Sequence, residues 1–348
     1  NTIFLMIKIL KANSKNFEKD LNSILNLRKD NSESKLKVVR KIIKDVKNKG
    51  DFSLIGYEKK FNNIKNLSTK KILFSNSEIN KNIKKLDIKV KKSIDIAFDR
   101  ILRFHKKQKF KNFTVKDQYK NVFLYRSRPI EKIGVYVPGG RASYPSSVLM
   151  NCIPAIIAGV KDIFVTVPSL NNKINPGVLY ASKKCGVKKI YKLGGAQAIA
   201  ALAFGTKTVS KVDKIVGPGN EYVALAKKEV FGEVGIDMFA GPSEVTIIAD
   251  KYSNPSWVAA DLIAQAEHDE MSQSILVSDS KKIISDVIKI LKVQIRYLPK
   301  KKIVTESLKK NGVCILTKNS SQISKIINKI SPEHLEIYTK NPKQYLKN

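Results

Sequence analysis

Cysteine is scarce in this sequence, and what little there is excludes a covalent scaffold. Cys152, Cys185 and Cys314 are odd in number, far apart and without a CxxC pair, which argues for a reducing compartment, here the cytoplasm. Long apolar runs are missing too. The longest, "VLMNCIPAIIAGV" (148–160), carries Asn151 and Pro154 and is too short to span a bilayer. The opening "NTIFLMIKIL" contains a lysine and has no small-residue cleavage site after it, so it is a poor signal peptide. No membrane association is expected. Acidic residues are also few, 30 against 65 Lys and Arg, for a formal charge of +35. Clustered, such charge would point to nucleic acid. The lysines are instead scattered, arginine is scarce, and neither an aromatic-basic stacking motif nor a zinc finger occurs, so no nucleic-acid partner is expected. Abundant Asn and Ile accompany the Lys, the trace of an A- and T-rich codon bias.

What is present falls into two textures. A chain of 348 residues exceeds one ordinary core, so two α/β units are expected. Up to about residue 132 the sequence reads as lysine-rich amphipathic helices, such as "SKLKVVRKIIKDVKNKG", with Gly50 as a C-cap. From Ile133, "IGVYVPGG", "DIFVTVPS", "KKIYKLGG" and "DKIVGPG" are short β-rich runs that end in Gly or Pro and alternate with helical stretches. That alternation predicts βαβ units on a parallel sheet. A second series follows a boundary near Ser243: "VTIIAD", the helix "PSWVAADLIAQAEH", then "SILVSDS", "GVCILTKN" and "LEIYTK".

Three features carry chemistry. Glycine loops at 137–140 ("VPGG"), 193–200 ("LGGAQAIA"), 216–220 ("VGPGN") and 240–244 ("AGPSE") follow strands. Each alone is commonly a turn; four at strand ends favour a nucleotide or another anion, because backbone N–H groups and helix N-termini then converge. Gln265 and His268, three apart at a helix end, could face one cation together, or could cap carbonyls and face water. Glu333 stands next to His334 in "SPEHLEIY", either as an acid and base pair or as chance neighbours. Adjacent strand residues point to opposite faces, so a shared role requires a bend near Pro332. His105 in "RILRFHKKQ" belongs to no motif and reads as a surface or packing histidine.

Taken together, "RPIEKIGVYVPGGRASYPSSVLMN", "KLGGAQAIAALAFGT", "VDKIVGPGN", "GIDMFAGPSEVTIIAD", "DLIAQAEHD" and "SPEHLEIYT" resemble, in order, the motifs of the histidinol dehydrogenase family. The resemblance is dense from about Arg128 to Thr339. It implies an α/β protein of two incomplete Rossmann-like domains with a helical N-terminal segment: residues 1–23 as that segment, 24–132 plus 244–348 as a domain carrying catalytic and metal residues, and 133–243 as an inserted domain binding NAD. It further implies a zinc enzyme, one ion per subunit, that oxidises L-histidinol to L-histidine through L-histidinal with two NAD, as a homodimer. On matching positions Tyr136, Gln197 and Asn220 would contact NAD. Ser243, Gln265, His268 and His334 would contact substrate, and Gln265 and His268 would bind zinc. Glu333 and His334 match the acid and base pair, with neutral imidazole suited to taking the hydroxyl proton and the carboxylate to activating water. The family pattern continues past Asn348 with an aspartate and a histidine that complete the zinc site, the histidine reaching across the dimer. The alternative expectation is therefore a truncated, inactive member acting as a nucleotide- or partner-binding module.

Overall fold

The computed structural model describes residues 7–26, 33–62, 67–139, 144–169, 174–238 and 243–346. Contacts divide the chain into two units, Asn1–Asp30 with Ala240–Asn348, and Asn31–Phe239. Each is built around a five-stranded parallel sheet.

In the first unit the strand order is Lys8–Lys11, Val313–Leu316, Gln273–Ser278, Glu244–Ala249, His334–Tyr338. Glu244–Ala249 and Gln273–Ser278 are buried along their whole length. Strands covered on both faces read as near-continuous apolar runs, which is why "VTIIA" and "SILVS" announce themselves in the sequence. The N-terminal segment contributes the edge strand Lys8–Lys11 and the helix Phe17–Asn26, whose Phe17, Leu21 and Ile24 enter the same core as Ile248, Ile275 and Ile315.

In the second unit the order is Lys189–Tyr191, Asp162–Thr166, Lys132–Tyr136, Lys214–Val216, Gly235–Ile236. The chain steps outward in one direction from Lys132–Tyr136, then returns to its other side at Lys214–Val216. That reversal makes a topological switch point at the carboxyl ends of these two strands, where open α/β sheets bind ligands.

The helices between residues 33 and 106 belong with this second sheet, not with residues 244–348 as expected. Val39, Ile42 and Val46 of the helix Glu33–Lys49 and Leu54 of the helix Asp51–Asn62 share a core with the helix Gly195–Phe204. The cause lies in the latter helix: every residue from Ala196 to Ala203 is buried, so it needs cover on its outer side as well as from the sheet. The amphipathic stripes upstream supply that cover. Gly50 ends the first of these helices with φ +52, as its sequence position predicts. One element stands apart: the antiparallel pair Phe113–Lys116 and Val122–Tyr125 is exposed at every position.

Candidate functional site

In the first unit, the helix Pro255–Ala266 starts at Asn254, whose side chain accepts the Ser256 N–H at 2.9 Å. It ends just past Gln265, and the His268 N–H donates to the Gln265 carbonyl at 3.3 Å, so one more turn keeps the imidazole near the helix end. Beside Glu244–Ala249 runs His334–Tyr338, with His334 opposite Val245. Side chains two apart on a strand share a face, and His334 and Glu336 thus meet Asp261, Gln265 and His268 around a cavity of about 130 Å³ floored by Val245 and Ala264.

The hydrogen bonds of this cavity assign roles. His334 Nδ1 lies 3.2 Å from the Glu244 carbonyl, which can only accept; Nδ1 therefore carries a proton, and in the neutral ring the lone pair is on Nε2. The Tyr338 hydroxyl donates to Asp261 Oδ2 at 2.5 Å, and that bond, with burial, pushes the phenol up to about 12. Burial raises the Glu336 carboxyl above its ordinary range, the nearby Asp261 carboxylate adds to this, and His334 opposes it. Two buried polar atoms, Gln265 Nε2 and Glu336 Oε2, have no hydrogen-bond partner. A water, an ion or a ligand in the cavity can complete their bonding.

The cavity therefore unites Gln265, His268 and His334 and leaves Glu333 out. Glu333 is exposed, and its backbone N–H donates to Glu244 Oε1 at 2.9 Å. Ser243, also exposed, receives the Gln273 N–H on its carbonyl at 3.0 Å at the head of the 244–249 strand. An amide oxygen and an imidazole with carboxylates behind them form an N/O donor set that zinc accepts. Among the described residues no group of three or more His, Cys, Asp or Glu is placed to hold a metal, so Gln265 and His268 offer part of a coordination shell.

In the second unit the expected cofactor residues lie around the switch point. Tyr136 ends its strand, and its buried hydroxyl accepts the Gly195 N–H at 3.1 Å; burial pushes this phenol up to about 12. Gly217, at φ +111 after the neighbouring strand, comes so close that an added Cβ would lie 2.1 Å from the Tyr136 carbonyl oxygen. Asn220 is exposed and caps the helix Glu221–Val230 by accepting the Val223 N–H at 3.2 Å. Gln197 is buried, and its amide donates to Glu58 Oε1 at 2.8 Å. The loop after Lys189–Tyr191 is thus no open phosphate cradle, because Glu58 takes the Gly194 N–H and Tyr136 takes that of Gly195. Gly140 of the first glycine loop and residues 240–242 of the last lie outside the described residues.

His105 is away from both clusters, its Nδ1 2.6 Å from Gln108 Oε1. Sequence reasoning passed over Asp261, Glu336, Tyr338 and Glu58. Asp261 stands four residues before Gln265 and Glu336 two after His334, spacings that put each on the face of its neighbour. Nothing in the sequence signals Glu58.

The family model for histidinol dehydrogenase matches residues 25–348. The histidinol dehydrogenase of Pelagibacter ubique (strain HTCC1062) is 53% identical over 340 residues, covering 97% of this chain and 78% of that protein. That of Clostridium acetobutylicum is 45% identical over 343 residues, covering 98% and 79%. Among solved structures, the crystal structure of histidinol dehydrogenase from Elizabethkingia anophelis matches with a TM-score of 0.90 at 36% identity, over 97% of this chain and 77% of that one.

Proposed function

This chain belongs to the histidinol dehydrogenase family, and on that premise we propose that it oxidises L-histidinol to L-histidine through L-histidinal, reducing two NAD, as a homodimer in the cytoplasm. The observation that carries the reading is His334: its Nδ1–H is held by the Glu244 carbonyl, which leaves Nε2 inside the cavity as a base. In the first half-reaction Nε2 would accept the hydroxyl proton of the alcohol as the carbinol hydrogen leaves as hydride and the C–O bond becomes a carbonyl; NAD, when bound, would supply the hydride acceptor. In the second, water adds to the aldehyde, and the hydrate loses one more hydride and one more proton. Glu333, exposed next to His334, is the carboxylate assigned to orient and deprotonate that water.

Gln265 and His268, which line the same cavity, would hold zinc through the Gln265 amide oxygen and an imidazole nitrogen. When bound, zinc supplies Lewis acidity toward the substrate hydroxyl. Ser243 is assigned to substrate. Tyr136, Gln197 and Asn220 are assigned to NAD, on the strength of the switch point and of the close approach that Gly217 alone permits there. No observation favours the alternative of an inactive binding module. The test is NADH formation on addition of histidinol to the zinc-supplemented protein: two NADH per histidinol are expected, and no NADH would overturn the proposal. No described helix is long and apolar enough to cross a membrane.

A further inference from the structure

Glu58 is a buried carboxylate of the second unit whose environment the proposed chemistry leaves unexplained. It lies on the helix Asp51–Asn62 with no exposed surface, and no cation among the described residues is within ion-pairing distance of it. Burying an unpaired carboxylate is costly, so it persists only where donors satisfy it. Here three do. Oε1 accepts the Gly194 N–H at 2.9 Å and the Gln197 amide at 2.8 Å, while Oε2 accepts the Asn62 amide at 2.5 Å. Gly194 is the N-cap of the helix Gly195–Phe204, the position at which a helix attracts an anion. The side chain of a different helix has therefore taken the place that a phosphate would occupy.

We propose that Glu58 is a positioning residue of the cofactor site: it fills the anion position of the Gly194–Gly195 loop and fixes Gln197, the side chain assigned to NAD. The inference rests on the NAD reading above. Both backbone donors of the double glycine are consumed, by Glu58 and by Tyr136, so this loop offers a dinucleotide no free backbone N–H; the Gly217 N–H of the other loop is likewise taken, by Asp237 at 2.8 Å. Burial also raises Glu58 to about 7, the Gly194, Gln197 and Asn62 bonds opposing it. The loop is then held more firmly by the ionised form above that pH than by the neutral form below it. Other titratable groups on the packed elements do not share this range or are engaged elsewhere: Tyr136 is at about 12, Lys192 is paired with Glu78, and Asp45 receives the Tyr57 hydroxyl.

The experiment is equilibrium binding of NAD to the intact wild type, Glu58→Ala and Glu58→Gln from acid to alkaline pH, with KM for NAD and kcat measured beside it. In the wild type, affinity should rise as pH passes through about 7. Glu58→Ala should bind NAD at least tenfold more weakly with kcat at saturating NAD little changed, while Glu58→Gln, neutral like the protonated acid but still an acceptor for Gly194 and Gln197, should bind as the wild type does at acid pH and show no pH dependence. Wild-type affinity in a folded Glu58→Ala overturns this inference alone. Should that variant fail to fold, an unaltered pH dependence in Glu58→Gln overturns it instead. A wild type that binds no NAD overturns the cofactor reading and this inference together.

Discussion

A histidine whose Nδ1 is held by a backbone carbonyl is a sharper object than a histidine in a motif. The Glu244 carbonyl orients His334 from its Nδ1 side, so replacing the ring removes the base without touching the core. His334→Ala should lower kcat by about 10²- to 10⁴-fold, the usual worth of a positioned base, with far-UV circular dichroism unchanged. Glu333 and His334 separate by substrate: Glu333→Gln should impair oxidation of supplied histidinal more than oxidation of histidinol to the aldehyde, read as single-turnover NADH formation, and equal losses would sink that division. Glu58 has a consequence for stability as well as binding. Its folded-state value of about 7 lies above the ordinary 4.5, so folding favours the protonated form, and stability is lost as pH rises from about 4.5 to about 7. The loss is on the order of 3 kcal/mol at most. Glu58→Gln cannot ionise, and its denaturation midpoint should vary less with pH over that interval than the wild type's.

Elements were legible where their physics is local. All eight β-rich runs picked out from "IGVYVPGG" to "LEIYTK" are strands: the interior ones are buried on both faces and read as near-continuous apolar runs, and the first four stop at Gly or Pro. The Asn254–Pro255 helix start was equally plain. Which sheet the early helices cover was not, since the stripe Val39, Ile42, Val46 states only that a partner exists. In the site, Gln265, His268 and His334 could be found from motifs. Spacing places Asp261 on the face of Gln265, but its meeting with Tyr338 was not legible, because it depends on the packing of the helix Pro255–Ala266 against the strand His334–Tyr338. That contact is testable: Tyr338→Phe removes a hydrogen bond to a carboxylate and should cost about 1–2 kcal/mol in chemical denaturation. Gly217→Ala is the harsher change, since φ +111 and a Cβ 2.1 Å from the Tyr136 carbonyl oxygen both oppose it. A loss of about 2 kcal/mol or more is expected, together with weaker NAD binding if the switch-point crevice is the cofactor site.

For the whole molecule, charge and chain path matter most. A formal +35 spread without clustering should give duplex DNA affinity no better than the non-specific range of about 10⁻⁴ to 10⁻⁶ M at physiological salt. Nanomolar, sequence-selective binding in a gel-shift titration would overturn that expectation. The path of the chain sets a timetable. The unit Asn31–Phe239 is continuous, whereas the other is assembled from the two ends, its edge strand Lys8–Lys11 pairing with Val313–Leu316 and its helix Phe17–Asn26 packing on residues that appear last. During synthesis from the N-terminus, the first thirty residues emerge with most of their partners still unmade, while the middle unit can close on itself. The cavity around His334 comes into being only after nearly every residue described here has left the ribosome, so a nascent chain has its proposed cofactor-binding half well before it has the half assigned to the chemistry.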